Sequence, residues 1–223
     1  MKIKVQKGIL SFKDIPSKAA KADQTVLLLR HSMRRSLNEG TFDPGLTPEG
    51  TAYAVECGRL LAGLPDVCFG ASSRLRTIET ARCLMQGGGF PESEISLYPQ
   101  IRDTAIFTRP ENLDIALTNG NVPQLLQAYF LTGKAEGMID LPTASGNLLS
   151  FLTRTEFPSS CAVLTTHDII CATLLLVHAV YPFRLDDWCG YIQGGALFCH
   201  QGSWELYYTV PDSENRPKYT LFV

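Results

Sequence analysis

The chain has 223 residues, 45% hydrophobic and 19% charged, with a formal net charge of −2. That length suits one α/β domain around one core, and the charge balance excludes the broad basic surface that general binding to nucleic acid or anionic membrane requires. No window reaches the ~18 uninterrupted apolar residues of a membrane span.

Residues 1 to 24 carry scattered lysines (Lys2, Lys4, Lys7, Lys13) but too few apolar residues (Ile9, Leu10, Phe12) for the core of a signal peptide. Seven cysteines, an odd number without paired short spacings, argue against a disulfide framework and a cysteine zinc site. Cys57, Cys68, Cys83, Cys161, Cys171, Cys189 and Cys199 sit mostly among apolar residues and read as small buried hydrophobes. A reducing cytoplasm is the expected location.

Gly8 to Phe12 can pair as an edge strand, and the apolar run Thr25 to Leu29 reads as a buried strand. It ends in Arg30-His31-Ser32-Met33-Arg34-Arg35, so a core strand delivers cations to its exit. In an open parallel sheet, that exit faces the ligand crevice. After a polar loop through Asn38, Glu39, Gly40 and Asp43, Thr47-Pro48-Glu49 starts a helix with a capping hydroxyl and a proline suited to the first position. Ala54, Val55, Gly58 and Leu61 form its apolar face, with Gly58 expected to let the helix approach the sheet.

Val67 to Ala71 is a second short strand, followed by Ser72 or Ser73 as the expected cap of the next helix. On that helix Leu75, Ile78, Ala81 and Met85 have core spacing, while Ser72, Arg76 and Thr80 share another face. Gly87 to Gly89 break it, and Ile95 to Tyr98 suggest a third strand. The pattern weakens from about 99 to 145, apart from a helix over Pro123 to Phe130, which suggests an insertion above the strand ends. Asn147 to Phe157 reads as a helix. Cys161 to Thr166 repeats the opening design and exits into His167-Asp168, ahead of a buried helix over Ile169 to Val180. Ala196 to His200 and Trp204 to Val210, joined by Gln201-Gly202, read as a hairpin.

Three strand exits thus carry Arg30-His31, Ser72 leading to Arg76, and His167-Asp168. Side by side, they bring two imidazoles and several guanidiniums to one cleft, which suits phosphoryl transfer. Guanidinium forks hold the three equatorial oxygens, one imidazole attacks phosphorus, and the other donates to an oxygen. A carboxylic acid must then protonate the leaving alcohol.

The chain resembles the histidine phosphatase superfamily, also called phosphoglycerate mutase-like. The resemblance is carried by Leu28-Leu29-Arg30-His31, by Leu46-Thr47-Pro48-Glu49-Gly50 with Gly58-Arg59-Leu60-Leu61, by Ser72 to Ala81, and by Thr166-His167-Asp168. It implies that His31 is the phosphorylated nucleophile, that Arg30 and Arg76 clamp the phosphate, and that His167 is the second imidazole. Ser32 stands where the family has glycine and adds a hydroxyl near the phosphate. Arg34 and Asp168 resemble the arginine and the His-Asp pair of the acid phosphatase branch, in which the aspartate is the proton donor. In the other branch a carboxylate of the inserted region donates, a part that Asp103 can take.

Singly, several of these residues have plainer roles. Asp168 can cap the helix that follows it, and Arg35, Arg74 and Arg82 read as surface cations. His178 reads as a core or rim histidine and His200 as a cross-strand residue. Trp188, Tyr191, Asp186 and Asp187 can border the cleft, although packing and solvated loop roles suit them better, and Arg102 and Arg109 can touch substrate.

The expected architecture is one domain over 1–223: a three-layer α/β sandwich with a mostly parallel sheet, lidded by the insertion at about 99–145. The expected activity is hydrolysis of a small phosphomonoester with no metal or organic cofactor. The alternatives are a phosphomutase and a silent phospholigand-binding protein.

Overall fold

The computed structural model describes residues 2–36, 43–118, 122–181, 184 and 187–214. Seven strands form one sheet: β1 (Lys2–Ser11), β2 (Gln24–Arg30), β3 (Val67–Ala71), β4 (Ser96–Leu97), β5 (Cys161–Thr166), β6 (Gly194–His200) and β7 (Ser203–Val210). Their order is β1-β7-β6-β2-β5-β3-β4, and β6 alone runs against the rest. The sheet is therefore mostly parallel, as expected.

Successive residues of β2 feed opposite cores. Val26 and Leu28 pack on one face of the sheet, and Leu27 and Leu29 on the other, all fully buried. This two-sided burial explains the continuous apolar run. One face is covered by α1 (Ile15–Ala19), α2 (Pro48–Leu60) and α3 (Leu75–Gly87). The other is covered by α6 (Leu141–Arg154) and α7 (Asp168–Val177), against which α4 (Glu111–Thr118) and α5 (Val122–Thr132) pack through Leu113, Leu126 and Tyr129.

Thr47 caps α2 by accepting from the Gly50 N–H at 3.0 Å. Gly58 serves a different contact from the one expected. A Cβ there would collide with the Leu84 carbonyl oxygen of α3, so it permits helix-to-helix rather than helix-to-sheet approach. Neither Ser72 nor Ser73 caps α3: Arg74 is its N-cap residue, and the Asp43 carboxylate accepts from the Leu75 N–H at 3.0 Å. Leu75, at core spacing, is 39% exposed.

The edge strand extends back to Lys2, with a register shift between Val5 and Ile9 that interrupts its alternation. Helix α6 begins at Leu141 instead of Asn147 because Asp140 caps it through the Thr143 N–H at 3.0 Å. The expected hairpin is present, and its two-residue turn places Gln201 and Gly202 at φ 51° and 76°, the left-handed values such turns require. All seven cysteines are free and, apart from half-buried Cys68, buried. No described helix is long and apolar enough to cross a membrane.

Candidate active site

Parallel strands β2, β5 and β3 are adjacent, so their C-terminal exits share one edge of the sheet. The ladder continues past the strand ends: His31 N–H donates to the Thr166 carbonyl at 2.8 Å and Ser72 N–H to the Thr165 carbonyl at 3.0 Å. Both exits are thereby tied to β5, which ends in His167. The rings of His31 and His167 lie 5.6 Å apart at 68°.

Each imidazole has a defined tautomer. His31 Nδ1 is 2.7 Å from the Ser32 carbonyl, an acceptor only, so Nδ1 carries the proton and Nε2 keeps its lone pair. His167 Nδ1 is 3.3 Å from Arg76 Nη2, a donor only, so Nδ1 accepts and Nε2–H donates to Ser72 Oγ at 3.0 Å. Ser72 Oγ is 2.9 Å from Thr77 Oγ1, which in turn reaches the Arg74 carbonyl at 2.7 Å. A hydroxyl chain thus anchors the second imidazole. Burial, reinforced by Arg30, His167 and Arg76, holds His31 well below the usual histidine range. Burial, reinforced by Arg76, Arg74, Arg30 and Arg34, does the same to His167.

Arg30 donates from Nη1 to the Cys189 carbonyl at 2.7 Å and places Nη2 3.4 Å from Asp168. Its guanidinium lies over the Tyr191 ring, 4.3 Å from the centroid. Arg76 reaches Asp43 at 3.5 Å and Asp103 at 3.7 Å, and burial pulls it down to about 10. The Nε–H groups of both arginines are buried and have no acceptor among the described residues. Two buried donors without acceptors, beside two neutral imidazoles, make an anion pocket.

Asp103 is buried, and its Oδ2 takes both Arg74 Nε at 2.9 Å and Arg76 Nη2 at 3.7 Å. Asp168 uses Oδ1 on the Ile169 N–H at 2.9 Å and Oδ2 on Arg30, so its helix-start role is realised. Ser32 faces away from the role expected of it. Its hydroxyl donates to the Gly50 carbonyl at 2.7 Å and its N–H to Thr80 Oγ1 at 3.0 Å, which ties the loop to α2 and α3. Arg34 is half-buried, donates to the Arg35 carbonyl at 2.9 Å, and adds positive potential at Arg76 and His167. Arg35, Arg82, Arg102 and Arg109 are exposed.

Three further residues are at the site: Arg74, which reads as a surface cation in the sequence, Tyr191, which reads more as a packing or loop residue, and Ser72, which stands at one of the three strand exits. Arg74 is held against Asp103, Tyr191 against Arg30 and His31, and Ser72 against His167. Ser72 was visible inside its motif, whereas Tyr191 had no local signal. Trp188 is buried and packs on Phe130; His178 ends α7, and His200 faces Ser203 across the hairpin. Asp186 and the loop residues Asn38, Glu39 and Gly40 lie outside the described residues.

A family profile described as histidine phosphatase superfamily (branch 1) matches residues 26–130. The chain therefore carries the histidine phosphatase signature, on a phosphoglycerate mutase-like fold. The match takes in Arg30, His31, Arg76 and Asp103, while His167 and Asp168 join them only through the fold. It is the branch 1 profile that matches, although Arg34 and Asp168 had resembled the acid phosphatase branch.

Among solved structures, a mycobacterial glucosyl-3-phosphoglycerate phosphatase with inorganic phosphate is similar at TM-score 0.57 and 18% identity, covering 84% of this chain and 96% of that one. A phosphoserine phosphatase mutant from Entamoeba histolytica, in complex with phosphoserine, is similar at TM-score 0.54 and 19% identity over 85% and 98%. A phosphoglycerate mutase from Bacillus anthracis is similar at 0.53 and 16% over 87% and 96%. None of the curated protein sequences compared with the chain matches it.

Proposed function

We propose that this protein hydrolyses small phosphomonoesters through a phosphohistidine on His31, without a metal ion. The carrying observation is the pair of buried, acceptor-less Nε–H donors of Arg30 and Arg76 beside a histidine whose Nε2 lone pair is free. The phosphoryl group sits on Arg30 and Arg76, with Arg34 at the rim. His167, whose Nε2–H goes to Ser72 and whose Nδ1 accepts from Arg76, holds Arg76 in place and does not itself donate to a phosphoryl oxygen. His31 Nε2 attacks phosphorus in line, the N–P bond forms, and the P–O bond to the leaving alcohol breaks.

The departing oxygen needs a proton, and an acid needs a free oxygen to carry one. Both oxygens of Asp168 are engaged, whereas Asp103 Oδ1 has no partner among the described residues. Asp103 is accordingly the proposed donor, and Asp168 orients Arg30. Water then attacks phosphorus, giving a proton back to Asp103 as the N–P bond breaks, which releases phosphate and restores His31. The segment at about 99–145 supplies Asp103 and acts as the lid that selects the alcohol. A cytoplasmic protein acting on soluble phosphate esters is the corresponding cellular reading.

The test is turnover of an aryl phosphate with chelator present. His31→Ala is expected to lose on the order of 10³-fold or more, and acid-labile radiolabelled phosphate is expected on wild-type His31 alone. Full activity in His31→Ala overturns the proposal. The mutase of similar fold makes isomerisation the second reading, and conversion of 3-phosphoglycerate without phosphate release would establish it.

A further inference from the structure

Tyr191 lies in the segment between α7 and β6 and is half-buried. It touches both halves of the chemistry: the Arg30 guanidinium stands 4.3 Å above its ring centroid, and the His31 ring is 6.2 Å away at 48°. The other restraints on Arg30 lie along the edge of its guanidinium: Nη1 to the Cys189 carbonyl at 2.7 Å and Nη2 to Asp168 at 3.4 Å. Two contacts along one edge leave the plane free to tilt about the line joining them. An aromatic face against that plane removes the tilt, because a planar cation gains most from a π system when it lies over the ring.

We propose that Tyr191 is a positioning residue of the phosphate site: its ring sets the plane of Arg30 and so aims the unpaired Nε–H at the phosphoryl oxygens beside His31. The inference rests on the phosphate reading of the pocket. The ring also keeps water from one face of the guanidinium, so hydrogen bonds from Arg30 to a dianion are less screened. No chemistry of the tyrosine hydroxyl is needed, and an aromatic ring without it should serve equally well.

Calorimetric titration with inorganic phosphate, on the full chain at fixed pH and salt, reads this directly. Tyr191→Met keeps bulk without a π face and is expected to weaken phosphate binding roughly tenfold, equivalent to ~1.4 kcal/mol. Tyr191→Phe is expected to stay within about twofold of wild type, on the same contribution of the ring. With an aryl phosphate, the Met variant should lose through KM more than kcat. In an Arg30→Ala background, Tyr191→Met should change phosphate affinity by less than about twofold, since a residue acting through Arg30 has nothing left to orient.

A folded Tyr191→Met protein that binds phosphate like wild type refutes the proposal. So does Tyr191→Phe losing as much as Tyr191→Met, or an undiminished effect without Arg30. Should Tyr191→Met fail to fold, Tyr191→Trp decides: affinity at or above wild type supports a role of the ring, and a tenfold loss refutes it. Phosphate affinity is read without turnover, so failure of hydrolysis leaves the test intact. A wild-type protein that binds no phosphate overturns both this inference and the reading it rests on.

Discussion

The two site imidazoles are buried and held neutral, and this ties stability to pH. In the unfolded chain both titrate near the ordinary value of ~6.5, whereas burial and the surrounding guanidiniums hold them well below it in the folded protein. Below pH ~6.5 the unfolded state therefore binds more protons than the folded one, and stability falls as pH falls toward the depressed folded values. Each neutral histidine contributes a slope approaching ~1.4 kcal/mol per pH unit, so the pair contributes about 2.7. Burial also lowers His178, which adds in the same direction, so the informative quantity is a difference between proteins. Urea unfolding from about pH 7.5 to 5, on wild type and on His31→Gln/His167→Gln, should show wild type losing roughly 2–3 kcal/mol more per unit below pH ~6. Equal slopes would refute buried, neutral imidazoles. The same state makes His31 competent without deprotonation, so the acid limb of kcat/KM for phosphate monoesters should lie below pH ~6.5.

Gly58→Val should cost about 1–3 kcal/mol, because its Cβ meets the Leu84 carbonyl oxygen and α2 and α3 must separate; a urea midpoint unchanged from wild type would show the contact to be loose. Asp103→Asn should slow hydrolysis of alkyl phosphates by about 10²–10³-fold and of an ester with an acidic phenol leaving group far less. That selective loss in Asp168→Asn instead would assign the proton to Asp168.

The site strands were legible because β2 and β5 are buried on both faces, which leaves an unbroken apolar run and a sharp polar exit. The helix after β2 was legible for a local reason, the Thr47-Pro48 start. What failed were inferences in which a local signal met a tertiary partner. Ser72 has the chemistry of a cap, but His167 and Thr77 compete for its hydroxyl and Asp43 takes the helix end. Ser32 resembles a substrate donor until the Gly50 carbonyl is found 2.7 Å from its oxygen. Arg74 looked solvated because Asp103 is 29 residues away in sequence. The beginning of β1 was hidden by its lysines and by the register shift before Ile9, which breaks the period of two. Tyr191 belongs to the same class as Arg74: its partners Arg30 and His31 are on a distant strand, and nothing around it repeats.

The hydrogen bonding also limits where the leaving-group proton can come from. His31 holds its proton on Nδ1 against the Ser32 carbonyl, and His167 holds its own on Nε2 within the Ser72–Thr77 chain. Both are directed away from the unpaired lone pairs and donors that define the pocket. The guanidiniums of Arg30 and Arg76 supply hydrogen-bond donors, and a guanidinium is not an acid for a leaving alcohol. The hydroxyls of Ser32 and Thr80 are committed to backbone carbonyls. A proton for the departing oxygen therefore has to arrive on the substrate phosphate or on a carboxyl with a free oxygen. An ester with an acidic phenol needs neither, while an alkyl ester needs one of them, and that difference gives the Asp103 comparison its force.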